Sequence, residues 1–574
     1  MASGINKLPT SSEVVVIGCG IIGASVAYHL TKMGCKDVLV VERDEPTSGT
    51  TWHSAGLMVT FGHMSETATE LRKYSRDLYL NLEIETGQST GLRQCGFIEL
   101  VCGTESLEEH RRIAANNRYY GIDVQEISAK EVKELFPIAR VDDIDAGFYV
   151  EKDGRVNPVD VTMALIKGAR QNGAKIINGV SVTGITKKNG TVTGVTTDNG
   201  YISCEKVVNC AGMWARQIGE EHGVVIPNQA VEHYYLVTEK MSEVSSEWPV
   251  IEDPSHFGYL REEAGGLMVG LFETLAAPWN LDRIPSNFSY GEIEPDWERM
   301  TPYLEKALSR VPIAFEYGVR KFFCGPESFT PDRLPAVGEV SDLKNYFVAA
   351  GLNSVGILTG GGIGRLVANW VIEGRPDMDV TGISANRFHS YQLTPEYRVD
   401  RNRETLGWAY AVHYPTKVPK TARMAKISAI HDRLKKVGAS FTDVGGWETP
   451  AWFAKVSENA EVGELSWGRM HWWKNWAEEH HACREAVAIF DMSFMAKFRV
   501  QGRDAGAVLD YISANCVNEK DGQITYTQWL NENGFIEADL TVIRETAESF
   551  LVVTSDTMHM QNLDWLKRNI PADR

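Results

Sequence analysis

The feature that most constrains the fold is a glycine-rich turn close to the N-terminus, with the pattern Gly18-x-Gly20-x-x-Gly23. The β-branched run at 14–17, immediately before the turn, predicts a short buried strand. After the turn, the sequence predicts a helix that extends to about Met33. A strand, a tight glycine turn and a helix in this order are typical of a dinucleotide-binding unit in an α/β fold.

Each glycine of this turn has its own role in binding a dinucleotide. Gly18 permits the tight turn, Gly20 lets the backbone approach a pyrophosphate, and Gly23 lets the helix pack on the strand. The helix N-terminus offers free N–H groups to the phosphates. Glu42 closes the second predicted strand and would accept hydrogen bonds from ribose hydroxyls, which disfavours NADP. The alternative is a glycine turn in an α/β protein that binds no nucleotide.

Composition and charge narrow the class of protein. With 574 residues, the chain is expected to form two or three domains, and its formal net charge of -18 argues against nucleic-acid binding. The nine cysteines are scattered, without zinc-like spacing, which indicates reduced thiols and no metal site. No apolar run reaches the roughly 18 residues that span a bilayer. No presequence is visible, so the residues alone predict a cytoplasmic protein, or one whose targeting segment is missing.

Two later segments distinguish between FAD and NAD. The first is a hydrophobic strand that ends in N-x-A-G, at 206–214 (KVVNCAGMW). The second is a glycine-rich stretch that leads into a helix, at 351–364 (GLNSVGILTGGGIG). Segments of this kind pass beside the dinucleotide in flavoproteins with two dinucleotide-binding segments. Together with the N-terminal turn, and in this order, they favour FAD over NAD.

These motifs resemble one family of flavoproteins. The resemblance is carried by GCGIIGASVAYHL, SGTTWHSAGL, VVNCAGMWA, CGPESFTPD and GLNSVGILTGGGIG. From about residue 12 to the chain end, the sequence is similar to the dimethylglycine and sarcosine dehydrogenase family of FAD flavoproteins. CGPESFTPD and GLNSVGILTGGG resemble sarcosine dehydrogenase more than dimethylglycine dehydrogenase. Related members include dimethylglycine oxidase and the regulatory subunit of pyruvate dehydrogenase phosphatase, which shares the fold without the activity.

The resemblance implies an α/β and α+β architecture of the D-amino-acid-oxidase type. A Rossmann-type FAD-binding domain and an antiparallel substrate sheet would occupy 12–390. The FAD-binding parts are expected at about 12–60, 150–228 and 325–375, and the substrate-binding sheet at about 229–324, with a helical insert near 296–310. Residues 66–137 are predicted to be mainly helix with loops. A connection at 391–425 would lead to a partial, aminomethyltransferase-like α+β domain at 426–574.

The resemblance also implies which residues bind FAD. They lie in the nucleotide turn, in the loop after the second strand, and in the two later segments. The set is Gly18, Gly20, Ile21, Ile22, Gly23, Glu42, Arg43, Gly49, Thr50, Thr51, Trp52, His53, Ser54, Ala55, Gly56, Leu57, Val182, Ala211, Gly212, Trp214, Asn353, Ser354, Val355, Gly356, Ile357 and Leu358. Within T-W-H-x-A-G-L, His53 matches the histidine that carries FAD covalently in the dehydrogenases, an attachment that raises the flavin potential. The alternative is an ordinary hydrogen-bonded loop histidine.

The family chemistry is oxidation of a small N-methyl amino acid of the sarcosine or dimethylglycine type. A hydride passes from the N-methyl carbon to flavin N5, and the iminium is hydrolysed or passed to tetrahydrofolate. His233 matches the active-site histidine, whose ordinary pKa suits moving the amine proton, and Tyr259 matches the tyrosine that orients substrate. Without the resemblance, both are ordinary hydrogen-bonded sheet residues. The different functional class is a catalytically silent regulatory protein.

The C-terminal region adds a second possible site. Asp539, in GFIEADLTV, matches the acidic residue that contacts folate, although the family's domain normally continues beyond Arg574, which puts folate binding in doubt. The tryptophans at 467–476 are predicted to pack in a core, and an aromatic cage for a methylated amine is the alternative. The resemblance further implies an electron-transfer flavoprotein as acceptor, a role in one-carbon metabolism, and the mitochondrial matrix.

Overall fold

The computed structural model describes residues 8–280, 282–456, 458–461, 463–555 and 558–571. The chain divides into two compact units, Met1–Ala385 with Gln392–His413, and Asn386–Tyr391 with Tyr414–Arg574. The stretch predicted as a connection, 391–425, therefore divides between the two units. Within the described ranges, no helix is both long enough and apolar enough to cross a bilayer.

The first unit contains an α/β part and a largely antiparallel part. Its helices are α1 (Ile21–Lys32), α2 (Glu66–Thr86), α3 (Thr104–Tyr119), α4 (Ala129–Leu135), α5 (Pro158–Gln171), α6 (Ala215–Glu220), α7 (Trp297–Leu308), α8 (Gly356–Glu373) and α9 (Pro395–Leu406). Its strands are β1 (Ser11–Ile17), β2 (Val38–Val41), β3 (Leu57–Met58), β4 (Phe97–Val101), β5 (Gln125–Ile127), β6 (Ala146–Val150), β7 (Gly154–Arg155), β8 (Lys175–Ile177), β9 (Val182–Lys188), β10 (Thr191–Thr197), β11 (Gly200–Asn209), β12 (Gln229–Thr238), β13 (Val250–Asp253), β14 (Gly258–Glu263), β15 (Gly266–Leu271), β16 (Val319–Phe329), β17 (Ala336–Glu339) and β18 (Tyr346–Ala350).

The first sheet has the order β17-β18-β11-β1-β2-β8, and β10 and β9 extend it from β11. The strands from β18 to β8 are parallel, and the residues of β2 and the inner part of β1 are buried apolar side chains, as expected for a parallel sheet covered on both faces. Helix α1 follows the glycine turn, as predicted, and ends at Lys32. Helix α8 approaches α1 so closely that a Cβ on Gly364 would lie 2.1 Å from the Ser25 hydroxyl. The predicted Rossmann-type fold is confirmed.

The second sheet has the order β16-β12-β15-β14-β13-β4-β6-β5 and is antiparallel except between β13 and β4. The predicted substrate sheet and its helical insert, α7, are present, but the sheet also recruits β4, β5 and β6 from residues 97–150. The prediction of mainly helix over 66–137 missed β4 and β5. Both are too short to show a period of their own between the longer helices α2, α3 and α4.

Alternation along β12 gives the second sheet two different faces. Tyr234 and Leu236 pack in one apolar cluster with Met300 and Leu304 of α7. The intervening residues, His233 and Tyr235, point to the opposite face, where they line a cavity. The covered face thus holds the sheet in place, while the other face is available for a ligand.

The second unit contains helices and a small antiparallel sheet of order β21-β24-β23-β22. Its elements are α10 (His431–Lys436), α11 (Trp473–Glu485), α12 (Ala505–Ile512), α13 (His559–Asn569), β19 (Ala439–Val444), β20 (Trp447–Phe453), β21 (Ala496–Gln501), β22 (Ile524–Leu530), β23 (Ile536–Thr546) and β24 (Ser549–Thr554). Trp529 and Phe550 are fully buried in its core. The prediction of core packing is wrong for Trp473 and Trp476, which are 37% and 45% exposed because α11 presents them to solvent.

Candidate active site

A large cavity of about 590 Å³ lies at the carboxyl ends of β1, β2 and β11, beside the N-terminus of α1. This is where open α/β sheets bind nucleotides. Its lining brings together the nucleotide turn, the loop after β2, and both later segments. The predicted FAD-binding residues that line it are Gly18, Gly20, Ile21, Ile22, Glu42, Arg43, Gly49, Thr50, Thr51, Ser54, Val182, Ala211, Gly212, Trp214, Asn353, Ser354, Gly356 and Ile357.

The glycines of the turn are required by close backbone approach. Gly18 has φ +97°, and a Cβ there would lie 2.7 Å from the Cys210 carbonyl oxygen. A Cβ on Gly23 would lie 2.0 Å from the Gly18 carbonyl oxygen. Gly23 does not line the cavity itself, so its predicted role is limited to supporting the turn. The backbone surface left open by Gly18 and Gly20 is the cradle that a pyrophosphate needs.

Glu42 and the residues around it form the wall at the end of β2. The Glu42 carboxylate accepts hydrogen bonds from the N–H groups of Cys19, at 2.7 Å, and Asp44, at 3.0 Å. These contacts hold the carboxylate beside the turn, at the position expected for a ribose-binding acid. The Arg43 guanidinium lies over the Trp214 ring, 4.2 Å from a ring centroid, and both residues line the cavity.

The glycine-rich segment contributes a strained loop before α8. Asn353 and Ser354 adopt left-handed backbone conformations, with φ of 50° and 69°, which non-glycine residues rarely adopt. The Asn353 side-chain oxygen fixes this loop by accepting a hydrogen bond of 2.9 Å from the Thr330 N–H. Strained loops of this kind are concentrated at binding sites.

A second cavity, of about 230 Å³, adjoins the first. Five residues line both cavities: Ser54, Glu327, Asn353, Ser354 and Ile357. The remaining predicted residues that line the second cavity are His53, Ala55, Gly56, Leu57, Val355, Leu358, His233 and Tyr259. The structure therefore separates the predicted set into a nucleotide cavity and a neighbouring pocket, with His53 in the latter.

His53 is almost fully buried, at 6% exposure, and its Nε2 atom has no hydrogen-bond partner among the described residues. Burial lowers the pKa of His53 to about 4, so the imidazole is neutral at physiological pH. Its ring lies 5.1 Å from that of Phe323. A buried ring nitrogen without a partner is costly, and a bond or contact to a cofactor would remove that cost. The residues therefore fit FAD.

Trp52 lies beside His53 and lines neither cavity. Its ring centroid is 5.4 Å from that of His53 and 5.7 Å from that of Phe323, in edge-on contacts. The structure thus assigns Trp52 to the support of His53 and gives it no direct place in the described cavity walls.

His233 and Tyr259 project from neighbouring parts of the second sheet into the second cavity. Their rings are nearly parallel, with centroids 6.5 Å apart, and the His233 ring lies 4.7 Å from that of Phe272. Tyr259 is 3% exposed, and burial raises the pKa of its hydroxyl well above the ordinary value, so it remains a proton donor. Gly270 makes room for the Tyr259 ring, because a Cβ there would lie 1.7 Å from a ring carbon.

The floor of this cavity is a row of residues in register across the sheet. Pairing aligns β4, β13, β14, β15, β12 and β16 through Glu99, Glu252, Tyr259, Gly270, Tyr235 and Phe323. All of these except Gly270 line the cavity. Burial and the neighbouring Glu99 carboxylate raise the pKa of Glu252 to about 8. The two acidic residues, Glu99 and Glu252, thus lie at one end of the row, and the aromatic pair Tyr235 and Phe323 lies at the other. The ring centroids of this pair are 4.7 Å apart.

Several lining residues were not predicted from the sequence. Among them are Arg72, Glu99, Glu252, Arg333 and Tyr410. A charged residue inside an apolar strand, as in FIELV and VIED, is a signal that could have indicated Glu99 and Glu252. Arg333 lies in a turn and Tyr410 follows α9, and no local pattern marks either residue.

Asp539 lies in the second unit, on β23. It is exposed, and its carboxylate accepts a hydrogen bond of 3.1 Å from the Gln528 side chain, whereas its neighbours Ala538 and Leu540 are buried. The side chain is therefore accessible to a ligand on the solvent face of this small sheet.

Comparison with known protein families divides the chain into three consecutive parts. The profile of the FAD dependent oxidoreductase family matches residues 13–370, that of the FAD dependent oxidoreductase central domain matches 373–428, and that of the GCVT N-terminal domain matches 430–574. The first profile alone covers more than half of the chain.

Similar curated proteins extend over nearly the whole chain. The 4-methylaminobutanoate oxidase (formaldehyde-forming) of Paenarthrobacter nicotinovorans is 37% identical over 99% of this chain and 68% of its own length. Mitochondrial sarcosine dehydrogenase of Homo sapiens is 36% identical over 94% of this chain and 61% of its own. The mitochondrial pyruvate dehydrogenase phosphatase regulatory subunit of Mus musculus is 34% identical, over 99% and 65%. The chain thus spans about two thirds of the length of these relatives.

These matches confirm the resemblance carried by the motifs. The chain belongs to the FAD-dependent oxidoreductase family, among the relatives of sarcosine dehydrogenase and 4-methylaminobutanoate oxidase, and has a GCVT-type C-terminal region.

Proposed function

We propose that this protein is an FAD-dependent enzyme that oxidatively demethylates a small N-methylated amino acid. The observation that carries the proposal is the position of His53, whose buried, unpartnered Nε2 lies in a pocket that adjoins the nucleotide cavity. Sarcosine and dimethylglycine are the first candidate substrates, and 4-methylaminobutanoate is a third, because it is named for a relative with 37% identity. A cofactor cavity and a smaller neighbouring pocket are what an oxidation of this type requires.

His53 is the proposed attachment point of FAD. Its low pKa leaves the ring neutral, so Nε2 keeps its lone pair for bond formation. Glu42, Arg43 and Trp214 would hold the nucleotide end, and the nucleotide turn would hold the pyrophosphate. When bound, FAD supplies the oxidising power, by accepting a hydride from the substrate.

The second cavity provides the groups that position an amine. Tyr259 would donate a hydrogen bond to the substrate, because burial keeps its hydroxyl protonated. His233 has the chemistry to take up the amine proton, so that the nitrogen lone pair becomes available. Tyr235 and Phe323 form an aromatic wall that excludes water from the reacting carbon. Oxidation would give an iminium, and its hydrolysis would give formaldehyde and the demethylated amine.

Anaerobic reduction of the bound flavin tests this proposal. The purified protein is mixed with sarcosine, dimethylglycine, 4-methylaminobutanoate, proline or glycine betaine, and the visible flavin absorbance is followed. We expect bleaching by at least one N-methylated amino acid. Glycine betaine should give none, because its quaternary nitrogen has no lone pair to form an iminium. Absence of bleaching by every amine at high concentration would overturn the proposed activity.

A second candidate is a catalytically silent regulatory protein, which the 34% identity to the phosphatase regulatory subunit favours. In that case the flavin would be structural, and no amine would bleach it. The same titration therefore separates the two functions. An electron-transfer flavoprotein as acceptor, folate binding through Asp539, and a mitochondrial location are further parts of the proposal, and each follows from the family alone.

A further inference from the structure

Arg333 is a cationic side chain in the second cavity that the proposed chemistry does not yet use. It follows β16 in a turn whose backbone is strained, with φ +62° at Arg333 itself. Its N–H donates to the Thr330 carbonyl oxygen at 3.1 Å, which fixes the turn. Arg333 lines the second cavity and not the nucleotide cavity, so the FAD pyrophosphate is not the anion that it would bind.

The charge of Arg333 is not balanced by the protein. Within the described ranges, no carboxylate lies within ion-pair distance of its guanidinium. Burial lowers the pKa of Arg333 to about 10, which leaves it cationic at neutral pH. Buried arginines elsewhere in the first unit have partners. Arg310 contacts Asp143 and Asp253 at 2.6 Å and 2.5 Å. Arg72, in the same cavity as Arg333, donates to the Phe61 carbonyl oxygen and has three carboxylates close enough to raise its pKa against the effect of burial, those of Glu252, Asp153 and Glu99. A half-buried cation without a counterion, on the wall of a cavity, indicates a missing anion.

A hydrogen-bonded chain orients the guanidinium. Its Nη1 donates to His413 Nε2 at 3.3 Å. His413 Nδ1 in turn lies 2.9 Å from Glu109, and the His413 backbone N–H also donates to that carboxylate, at 3.1 Å. Because Glu109 can only accept here, Nδ1 carries the proton and Nε2 is the acceptor. The remaining side-chain N–H groups of Arg333 have no acceptor among the described residues. The guanidinium is therefore oriented through Nη1, and its other N–H groups remain available to a ligand.

The opposite charge lies where the two cavities meet. Glu327 lines both cavities, and its Oε2 is buried without a partner among the described residues. Glu327 is also close enough to His53 to influence its pKa. The second cavity therefore presents a carboxyl oxygen without a partner where it meets the nucleotide cavity, and a cation without a counterion on the turn after β16. This arrangement matches a zwitterion whose amine lies near the flavin.

We infer that Arg333 binds the carboxylate of the substrate, oriented by His413 and Glu109, and thereby selects amino acids over simple amines. The identity of the other end of the ligand, an oxidisable N-methylamine, rests on the proposed function. A guanidinium suits this role because it can donate two parallel hydrogen bonds to a carboxylate. His413 acts through Arg333 and is a positioning residue.

Binding of a simple carboxylate tests the inference without turnover. Acetate and acetamide are titrated into the FAD-loaded protein, and the shift in visible flavin absorbance gives each Kd. In Arg333→Met we expect acetate to bind on the order of 10- to 100-fold more weakly, with acetamide changed less than about threefold. Arg320→Met, at an exposed arginine of the same unit, is the matched control and should not change either Kd. Unchanged acetate affinity in Arg333→Met, or no acetate binding to the unmodified protein, would overturn the inference.

Two further variants keep the test decisive if Arg333→Met fails to fold. Arg333→Lys retains the charge but loses the fork, and should bind acetate with intermediate affinity. His413→Ala should raise KM for the best N-methylated amino acid by about tenfold with kcat nearly unchanged, since it loosens the orientation of Arg333 and leaves the reacting groups in place. A fall in kcat alone would contradict the positioning role. Arg333-dependent acetate binding without flavin reduction by any amine would support the carboxylate site and count against the demethylase activity.

Discussion

The two adjoining cavities of the first unit are built in different ways. The nucleotide cavity is built around a backbone turn, in which a Cβ on Gly18 or Gly23 would lie 2.7 Å or 2.0 Å from a carbonyl oxygen. The second cavity is walled by charged and aromatic side chains from distant segments, among them His53, Tyr259 and Arg333. A backbone cradle leaves a local pattern in the sequence, whereas a pocket of converging side chains does not. The cofactor of such a protein is therefore easier to recognise than its substrate.

The largest effect is expected from Gly23→Ala, in the backbone-built cavity. The new Cβ would lie 2.0 Å from the Gly18 carbonyl oxygen, so the turn cannot keep its shape and FAD binding should be abolished. Flavin content of the purified protein is the measurement. Gly382→Ala is the control, because its Cβ would have no neighbour closer than 4.0 Å and should leave flavin content unchanged. Normal FAD content in Gly23→Ala would show that the turn is not the binding element.

The next effect concerns His53, in the second cavity beside the nucleotide cavity. His53→Ala should keep the fold and noncovalent FAD but lower kcat by about tenfold or more, which corresponds to about 1.4 kcal/mol in the barrier. The flavin reduction potential, measured by dye equilibration, should fall in parallel. Unchanged turnover at an unchanged potential would remove His53 from the tuning of the flavin.

A smaller effect is expected from the wall of the second cavity. Tyr259→Phe removes one hydroxyl from a buried pocket and should lower kcat/KM by about tenfold, the equivalent of one hydrogen bond. Tyr346→Phe is the structural counterpart, since its hydroxyl accepts a hydrogen bond of 2.8 Å from Asn209 on the neighbouring strand of the first sheet. That variant should lower stability and leave kcat/KM unchanged. The reverse pattern would mean that Tyr259 is a packing residue.

The smallest expected effect is a difference in the stability of the apoprotein between variants of two buried histidines, His29 and His53. Burial lowers the pKa of both His29 and His53 to about 4, below the ordinary value of 6.5. Each therefore adds stability that is present above pH 6.5 and is lost as the pH falls towards 4, by about 1 kcal/mol between pH 7 and 5.5. In His53→Gln, the part of this pH-dependent fall in stability that is due to His53 should disappear, and the free energy of unfolding at pH 7 should change little. His29→Gln should also cost stability at pH 7, because His29 is hydrogen-bonded to Ser25 and Tyr74. Urea unfolding at pH 7 and pH 5.5 measures the free energy of unfolding of each variant. An equal loss of stability in both variants at pH 7 would contradict the inferred effect of the His29 hydrogen bonds.

The same contrast explains what could be predicted from the sequence. Strand β1, helix α1 and a dinucleotide site follow from the spacing around Gly18 and Gly23, because local sterics permit few alternatives there. The choice of FAD over NAD needed the two later segments at 206–214 and 351–364. Family motifs indicated His53, but only tertiary structure reveals that its Nε2 has no partner among the described residues. Arg333 and Glu252 were not predicted, because their place in the site depends on the residues that the fold brings to the same cavity. The strands β4 and β5 and the exposed Trp473 were missed because short or apolar local patterns do not reveal which side faces solvent.

The central claim is that FAD bound in the first cavity is attached at His53, where the second cavity begins. The most direct test is acid denaturation of the holoprotein followed by proteolysis, with flavin fluorescence and mass used to identify the labelled peptide. We predict that the flavin stays with the polypeptide, on the peptide that contains His53, and that His53→Ala releases it. Complete release of flavin into the supernatant of the unmodified protein would contradict the claim.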